Sequence, residues 1–223
     1  MEATIEHRPV FTTLTINLAG GESIRAESGA MVSMSPGMEL EAKTSGKGIL
    51  GTVKAAVGGA GAFASLYTAP AQGGELILAP TTPGDVVEMS LNGETILAQA
   101  GSYLAGSTDL ELSTQGSLKA MVGGEGLFLQ QISGTGPLYL GIYGAVFVRA
   151  LGAGEHYTVD TGHVVAFEQS VTFKLRKASR GIFSTLASGE GLVSDFEGPG
   201  KLWIQSRNLK SFAELVMRFA PKS

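Results

Sequence analysis

The sequence predicts an all-β fold, in which three pseudo-symmetric β repeats form one domain that ends in a short C-terminal α-helix. Three observations lead to this prediction. The chain has 32 glycines among 223 residues but is still 43% hydrophobic, which is typical of a folded, turn-rich protein. Apolar residues alternate with a period of two, as in strands with one buried face. One pattern of glycine and apolar residues also occurs three times.

The repeat is defined by three turn glycines, Gly29, Gly101 and Gly162. Apolar residues lie five and three positions before each glycine, and two, three, nine and eleven positions after it. In copy order they are Ile24, Ala26, Met31, Val32, Met38 and Leu40; Ile96, Ala98, Tyr103, Leu104, Leu110 and Leu112; Tyr157, Val159, Val164, Val165, Val171 and Phe173. This spacing predicts strands on both sides of a glycine that needs positive φ or a close backbone approach.

The second half of each copy has its own anchor, at Gly74, Gly136 and Gly200, with leucine two residues later in every case. Gly134-Thr135-Gly136 and Gly198-Pro199-Gly200 are predicted turns. The copies span about residues 10–90, 91–153 and 154–206. A unit of about 60 residues buries too little surface to stand alone. We therefore expect a single domain over residues 1–223, with one core shared around a common axis.

The first copy is longer than the others because it contains a glycine-rich insertion over residues 46–66. The insertion contains too many glycines to be typical of a transmembrane helix. If it is helical, the apolar residues Ile49, Leu50, Val53 and Val57 share one face. These four residues are the candidate contact with a protein partner or a membrane surface.

The C-terminal segment, residues 207–220, has a different period. Leu209, Phe212, Val216 and Phe219 form a helical apolar stripe, and Ser206 or Asn208 is positioned to cap the helix. We expect this helix to pack on the domain or on a neighbouring subunit. A helix lying on a membrane is the alternative, with only modest basic flanks to support it.

Residues that carry chemistry are scarce. Because the chain has no cysteine, a disulfide scaffold, a thiolate zinc site and a cysteine nucleophile are excluded. The three histidines have no zinc-site spacing. Glu125 and Glu190 occupy equivalent places and, with His163, are the residues that an enzyme would use. We interpret both glutamates as turn carboxylates, and we predict no catalytic residue, no metal and no cofactor.

Nucleic acid is not the expected partner, because the net charge is −4. The strongest basic patch contains Lys174, Arg176, Lys177 and Arg180. On a strand, Lys174 and Arg176 share the face opposite Phe173, which is typical of a charged edge that resists aggregation.

Several ordered motifs resemble one protein family. They are Ser28-Gly29-Ala30-Met31-Val32-Ser33-Met34, Pro83-Gly84-Asp85, Gly124-Glu125-Gly126-Leu127-Phe128, and Gly198-Pro199-Gly200 followed by Ile204-Gln205-Ser206-Arg207. Over about residues 5–210 the chain is similar to the family named after the fungal "altered inheritance of mitochondria" protein, the twenty-fourth of its series. The resemblance implies a double-stranded β-helix type of fold, like that of the tryptophan RNA-binding attenuation protein, and self-association into a small ring or trimer. Mitochondrial relatives are linked to inner-membrane organisation, and the resemblance supplies no catalytic residue.

The leading hypothesis is a non-enzymatic, oligomeric scaffold or binding protein, with a homotrimer favoured and a link to membrane organisation. One alternative is a module that binds a small ligand or RNA, by analogy with the attenuation protein. The other is an uncharacterised enzyme. Without a secretory signal or a transit-like leader, we expect a prokaryotic cytoplasmic protein, with attachment to the membrane periphery left open.

Overall fold

The fold is described from a computed structural model, for residues 1–44, 63–113, 120–122, 125–178 and 192–220. These residues contain nineteen β-strands, one 3-10 turn and one α-helix. The expectation of an all-β fold with a short C-terminal helix is confirmed.

The first copy and the segment before it contain seven strands: β1 (Glu2–Glu6), β2 (Thr13–Leu18), β3 (Ser23–Glu27), β4 (Met31–Met34), β5 (Glu39–Thr44), β6 (Phe63–Thr68) and β7 (Gly74–Leu78). Alternation places Leu14, Ile16 and Leu18 of β2 in the interior. Because β6 begins at Phe63, the end of the predicted insertion is strand. Ile49, Leu50, Val53 and Val57 lie outside the described residues.

The second copy contains β8 (Val86–Gln99), β9 (Tyr103–Ser107), β10 (Leu110–Ser113), β11 (Ala120–Val122), β12 (Glu125–Leu127) and β13 (Leu129–Gly141). The turn predicted at Gly134–Gly136 is wrong. The chain continues through these residues as one strand, and the pairing register shifts between Ser133 and Thr135. The two glycines, at φ 124° and 125°, therefore accommodate a bulge in β13.

β14 (Val146–Leu151) falls at the end of the range predicted for the second copy but pairs with the last strand of the third. The third copy contains β15 (His156–Asp160), a 3-10 turn (Thr161–His163), β16 (Val164–Glu168), β17 (Thr172–Lys177), β18 (Leu192–Glu197) and β19 (Gly200–Gln205). The helix α1 (Leu209–Met217) follows it. The helix is shorter than the predicted 207–220, and its cap is Asn208.

One pairing scheme occurs in all three copies. The apolar residues five before and eleven after each turn glycine lie opposite the same partner residue. Ile24 and Leu40 face Tyr67, Ile96 and Leu112 face Ile132, and Tyr157 and Phe173 face Phe196. The strand after each turn glycine pairs instead with the last strand of its copy, and the register shifts at the third residue after the glycine. These shifted residues are Val32, Leu104 and Val165.

Two of the three turn glycines have the positive φ predicted for them, whereas the third is approached closely by a side chain and not by the predicted backbone. Gly29 and Gly101 both have φ of 90°. At Gly162 the constraint is space, because a Cβ there would overlap the side-chain amide of Asn208.

The strands form four sheets. In the largest, the order is β14-β19-β16-β8-β13-β9-β3-β6-β5, with β10 beside β13. The others have the orders β1-β2-β7-β4, β15-β18-β17 and β11-β12. Copies are therefore joined by strand pairing, β3 with β9 and β8 with β16.

The described core is not the single shared core that we expected. Buried apolar side chains form three clusters, and the first two are shared between neighbouring copies. Leu104 and Tyr139 of the second copy belong to the first cluster, while Val165 and Trp203 of the third copy belong to the second. The first copy is therefore covered by the second, and the second copy is covered by the third.

The approaches to the three copies meet at Gly84. This residue forms parallel bridges to Phe11 and to Gly144, which stand at the equivalent positions before β2 and β14. A Cβ on Gly84 would overlap the carbonyl of Ile142. The Pro83-Gly84-Asp85 motif therefore lies where successive copies come closest.

Asp85 fixes this meeting point. Its side chain is 6% exposed and accepts two hydrogen bonds from Arg8, each of 2.9 Å. The same carboxylate accepts the Val86 N–H at 2.8 Å and the Thr12 hydroxyl at 3.3 Å. A carboxylate with four donors holds the N-terminal segment to the start of β8.

Candidate functional site

A cleft of about 540 Å³ lies where the second and third copies meet the helix. It is lined by the turn around Gly101, the 3-10 turn that contains His163, and the first turn of α1. Its volume is within the range of pockets that bind small molecules. The cleft is therefore the candidate site for a small ligand.

His163 is held in this cleft by the backbone. Its Nδ1–H donates to the carbonyl of Gln205 at 2.8 Å, which leaves Nε2 as the acceptor of the neutral ring. The Gln205 side chain accepts the N–H of Tyr143 at 3.0 Å and donates to the carbonyl of Gly162 at 3.1 Å. The orientation of the imidazole is thus fixed by a local hydrogen-bond network.

The helix N-terminus beside the cleft is already capped. Asn208 Oδ1 accepts the N–H of Lys210 at 2.9 Å and that of Ser211 at 3.3 Å. The Asn208 amide fills the space over Gly162, and Gly162 N–H donates to Asp160 at 2.8 Å. These N–H groups are committed to side-chain oxygens of the protein, so they are not available to an anion.

The apolar stripe of α1 is not buried by the chain that carries it. Leu209, Phe212, Val216 and Phe219 are all exposed. Among the described residues, the aromatic contact of the stripe is between Phe212 and Tyr143, edge to face at 6.1 Å. The stripe predicted from the sequence is present, but the packing expected for it is not made on its own domain.

Two further strands present apolar side chains to solvent. On β14, Phe147 and Val148 are each 57% exposed. On β4, Met31, Val32 and Met34 are exposed as well. For Met31 and Val32 the sequence pattern gave no sign of this exposure, because the residues at the same positions of the other copies are equally apolar and are buried.

The other predicted site residues are not brought together by the described structure. Glu190 lies outside the described residues, and Glu125 is the first residue of β12, with its side chain outside the described set. Of the three, His163 is the residue whose place in the cleft the structure describes. In the described ranges, no group of three histidine, aspartate or glutamate side chains is arranged to hold a metal ion.

The described part of the basic patch has the predicted geometry, while Arg180 lies outside the described residues. Lys174 and Arg176 of β17 are exposed, and Phe173 and Leu175 are half-buried. Arg176 is bound to Asp195, and this hydrogen-bonded pair holds the pKa of Asp195 below its ordinary value. A guanidinium already paired with a carboxylate is a weaker ligand for phosphate.

One titratable group that sequence reasoning missed is Glu27, the last residue of β3. Burial disfavours its charged form and raises the pKa of the carboxyl from 4.5 to about 7. The sequence signal was weak, because a glutamate beside Ser28-Gly29 is typical of a solvated turn.

Comparison with known proteins places the chain in a family. Residues 3–207 match the profile of the family described as mitochondrial biogenesis AIM24. An uncharacterised protein of Streptococcus pyogenes serotype M6 is 32% identical over 231 residues, which cover 100% of this chain and 92% of the relative. A crystal structure of a Streptococcus pyogenes protein, solved by a structural genomics consortium, superimposes with a TM-score of 0.82 at 29% identity and covers 98% of this chain and 99% of that one.

A helix long and apolar enough to cross a bilayer does not occur in the described part of the chain. The family match, the Streptococcus relative and the shared fold agree over nearly the whole length. The chain belongs to the mitochondrial biogenesis AIM24 family.

Proposed function

We propose that the protein is a non-enzymatic, oligomeric scaffold or binding protein, which acts through the surfaces that it presents. The observation that carries the proposal is the amount of apolar surface left in water on α1, β14 and β4. Apolar side chains exposed together on one helix or strand are typical of interaction sites, since burying them against a partner removes apolar surface from water.

The same proposal assigns no chemistry to His163. A general acid or base must lie within hydrogen-bonding reach of the proton that it transfers, and it is commonly oriented by a further group such as a carboxylate. The His163 ring is hydrogen-bonded to a backbone carbonyl, and among the described residues no carboxylate is hydrogen-bonded to it. A structural role for the ring agrees with a protein that binds and organises.

The direct test of the proposal is the mass of the purified protein under native conditions, measured by light scattering and native mass spectrometry. A mass of two or more chains that persists at micromolar concentration is the expected result. A monomer that also co-purifies with no partner from its native cells would contradict the proposal.

A link to membrane organisation belongs to the same proposal and is tested separately. The apolar stripe of α1, flanked by Lys210 and Arg218, has the character of a helix that lies at a lipid surface. Sedimentation with vesicles of mixed anionic and neutral lipid is the assay. We expect binding that Phe212→Asp abolishes. Equal sedimentation of the variant and the original protein would remove the membrane link.

A second candidate function is the binding of a small polar ligand in the cleft. It is favoured by the cleft volume and by the fixed orientation of His163. Thermal-shift measurements with the twenty amino acids, tryptophan among them, test it on the original protein and on His163→Gln. A shift that is lost in the variant supports this function. No shift with any amino acid counts against it.

A further inference from the structure

The junctions between neighbouring copies follow one rule. At the first junction β3 pairs with β9, and Ala26 lies opposite Ala105. At the second junction β8 pairs with β16, and Ala98 lies opposite Ala166. Both times, the residue three before one turn glycine meets the residue four after the next turn glycine. The two junctions therefore share one register.

Among the described residues, the first copy and the third copy each leave one strand edge unpaired, and the register shared by the two junctions would join these edges. In the described part of the chain, β15 pairs with β18 alone, and β4 pairs with β7 alone. Applied to the third copy, the rule places Val159 opposite Ser33 and Thr158 opposite Met34. The described structure does not pair these edges within one chain. A continuing junction would have to come from a second chain.

The residue at the register shift shows what such a junction would bury. Leu104 and Val165 are 1% and 0% exposed, because each lies in the cluster of the preceding copy. Val32 stands at the same position of the first copy and is 57% exposed. The described residues contain no earlier copy that could receive it.

The third cluster is correspondingly less covered than the other two. Its members Tyr157 and Ile204 are only partly buried. The residues equivalent to Tyr157 are Ile24 and Ile96, those equivalent to Ile204 are Leu78 and Leu140, and all four are buried. The third copy thus lacks the cover that the following copy gives to the first and the second.

The bridges at Gly84 show the same open end. Phe11 bridges to Gly84 and Gly84 bridges to Gly144, so that two bridges join the three equivalent positions in sequence order. The next position in the series would be occupied by Phe11 of another chain. Phe11 is exposed in a single chain.

We propose that molecules of this protein join head to tail. Strand β4 of one chain adds to the free edge of β15 in the next chain. Val32 of the first chain then enters the third cluster of the second chain. Within each chain, Leu104 and Val165 enter the cluster of the preceding repeat in the same way. The inference rests on the proposed oligomeric function. It identifies the partner as a second chain of this protein and the contact as a continuation of the junctions between repeats.

The contact is heterologous, because two different edges meet. A heterologous contact closes into a ring when the rotation between copies divides a full turn, and otherwise it forms a filament. Closure also removes the unpaired edges that would invite aggregation. A closed ring with a defined number of chains is therefore the expected assembly.

A disulfide cross-link tests the register, and the chain is suited to it because it has no cysteine. In Met34→Cys/Thr158→Cys the two sulfurs face each other across the proposed junction, within the Cα separation that a disulfide needs. Oxidation should give covalent multimers. Each single-cysteine variant should stay monomeric on a non-reducing gel, and a mixture of the two should stop at a covalent dimer.

The matched control shifts one cysteine by two residues. Met34→Cys/His156→Cys places the sulfurs on a diagonal, roughly 7–8 Å apart, where a disulfide closes poorly. We expect cross-linking at least tenfold slower than for the first pair. Equal rates for the two pairs would overturn the proposed register.

A surface variant tests the buried contact without risk to the fold. Val32 is exposed in the single chain, so Val32→Arg should leave its folding intact while it lowers the fraction of assembled protein at least tenfold. Thr108→Arg, which adds the same charge at an exposed residue of the turn between β9 and β10, is the control and should leave the assembly unchanged.

The outcomes separate this inference from the proposed function. Native oligomers that form no Met34→Cys/Thr158→Cys cross-link would overturn the head-to-tail junction and leave the oligomeric function standing. A covalent dimer formed by a single-cysteine variant alone would indicate a symmetric contact and would also overturn the head-to-tail junction. A native mass of one chain at all concentrations would remove both.

Discussion

Removing the Asp85 carboxylate should destabilise the chain more than any exposed ion pair does. The side chain is 6% exposed, and its oxygens accept four hydrogen bonds, two of them from Arg8. In Asp85→Ala the Thr12 hydroxyl and the Val86 N–H lose a buried acceptor. Arg8 is 49% exposed and can turn to water.

The magnitude follows from this geometry. Breaking a fully buried ion pair costs about 3–5 kcal/mol, and a buried donor left without a partner costs about 1–3 kcal/mol. Because Arg8 can be rehydrated, we expect a loss of about 2–4 kcal/mol in the free energy of unfolding. For a chain of this size, each kcal/mol lowers Tm by about 2–4 °C.

The assay is urea unfolding followed by circular dichroism, with thermal unfolding as a second readout. Glu155→Gln is the control, because Arg149 and Glu155 are 3.7 Å apart and exposed, so the change should cost less than about 0.5 kcal/mol. If Asp85→Ala unfolds within 0.5 kcal/mol of the original protein, Asp85 does not fix the meeting point of the copies.

Three further changes test the packing and the electrostatics. Gly84→Ala should abolish soluble expression or lower Tm sharply, because its Cβ overlaps the Ile142 carbonyl, whereas Gly152→Ala has space and should unfold like the original protein. Leu104→Ala should cost about 2–5 kcal/mol in urea unfolding, since it empties a fully buried site between two copies; a cost below 1 kcal/mol would contradict that burial. For Glu27, the folded pKa of about 7 lies above the ordinary 4.5, so stability should be fully present below pH 4.5 and fall as the pH rises to 7. Glu27→Gln should remove that fall, which we put at about 1–2 kcal/mol after allowing for partial exposure, and an unchanged pH profile would contradict it.

Much of the strand arrangement could be predicted from the sequence, because alternation reports which residues share a buried face. The alignment on the turn glycines paired Ile24 with Ile96 and Tyr157, and the structure places all three opposite equivalent partners. The period of the C-terminal segment likewise predicted α1 within three residues at each end.

What the sequence could not predict depends on three-dimensional neighbours. Gly134 and Gly136 have the composition of a turn, but a long partner strand keeps the chain extended through them. Val32 has the same apolar character as Leu104, and local sequence cannot report that only one of them has a neighbouring copy to cover it. The cleft around His163 is likewise assembled from segments far apart in the chain, so no local motif marked it.

The most direct test of the head-to-tail junction between chains is amide hydrogen exchange of β4 and β15 at two protein concentrations. Head-to-tail pairing predicts that the amides of Met31–Met34 and His156–Asp160 become protected together as the concentration rises, by at least tenfold in exchange rate. Fast exchange at Met31–Met34 in a sample that is fully oligomeric by mass would contradict it.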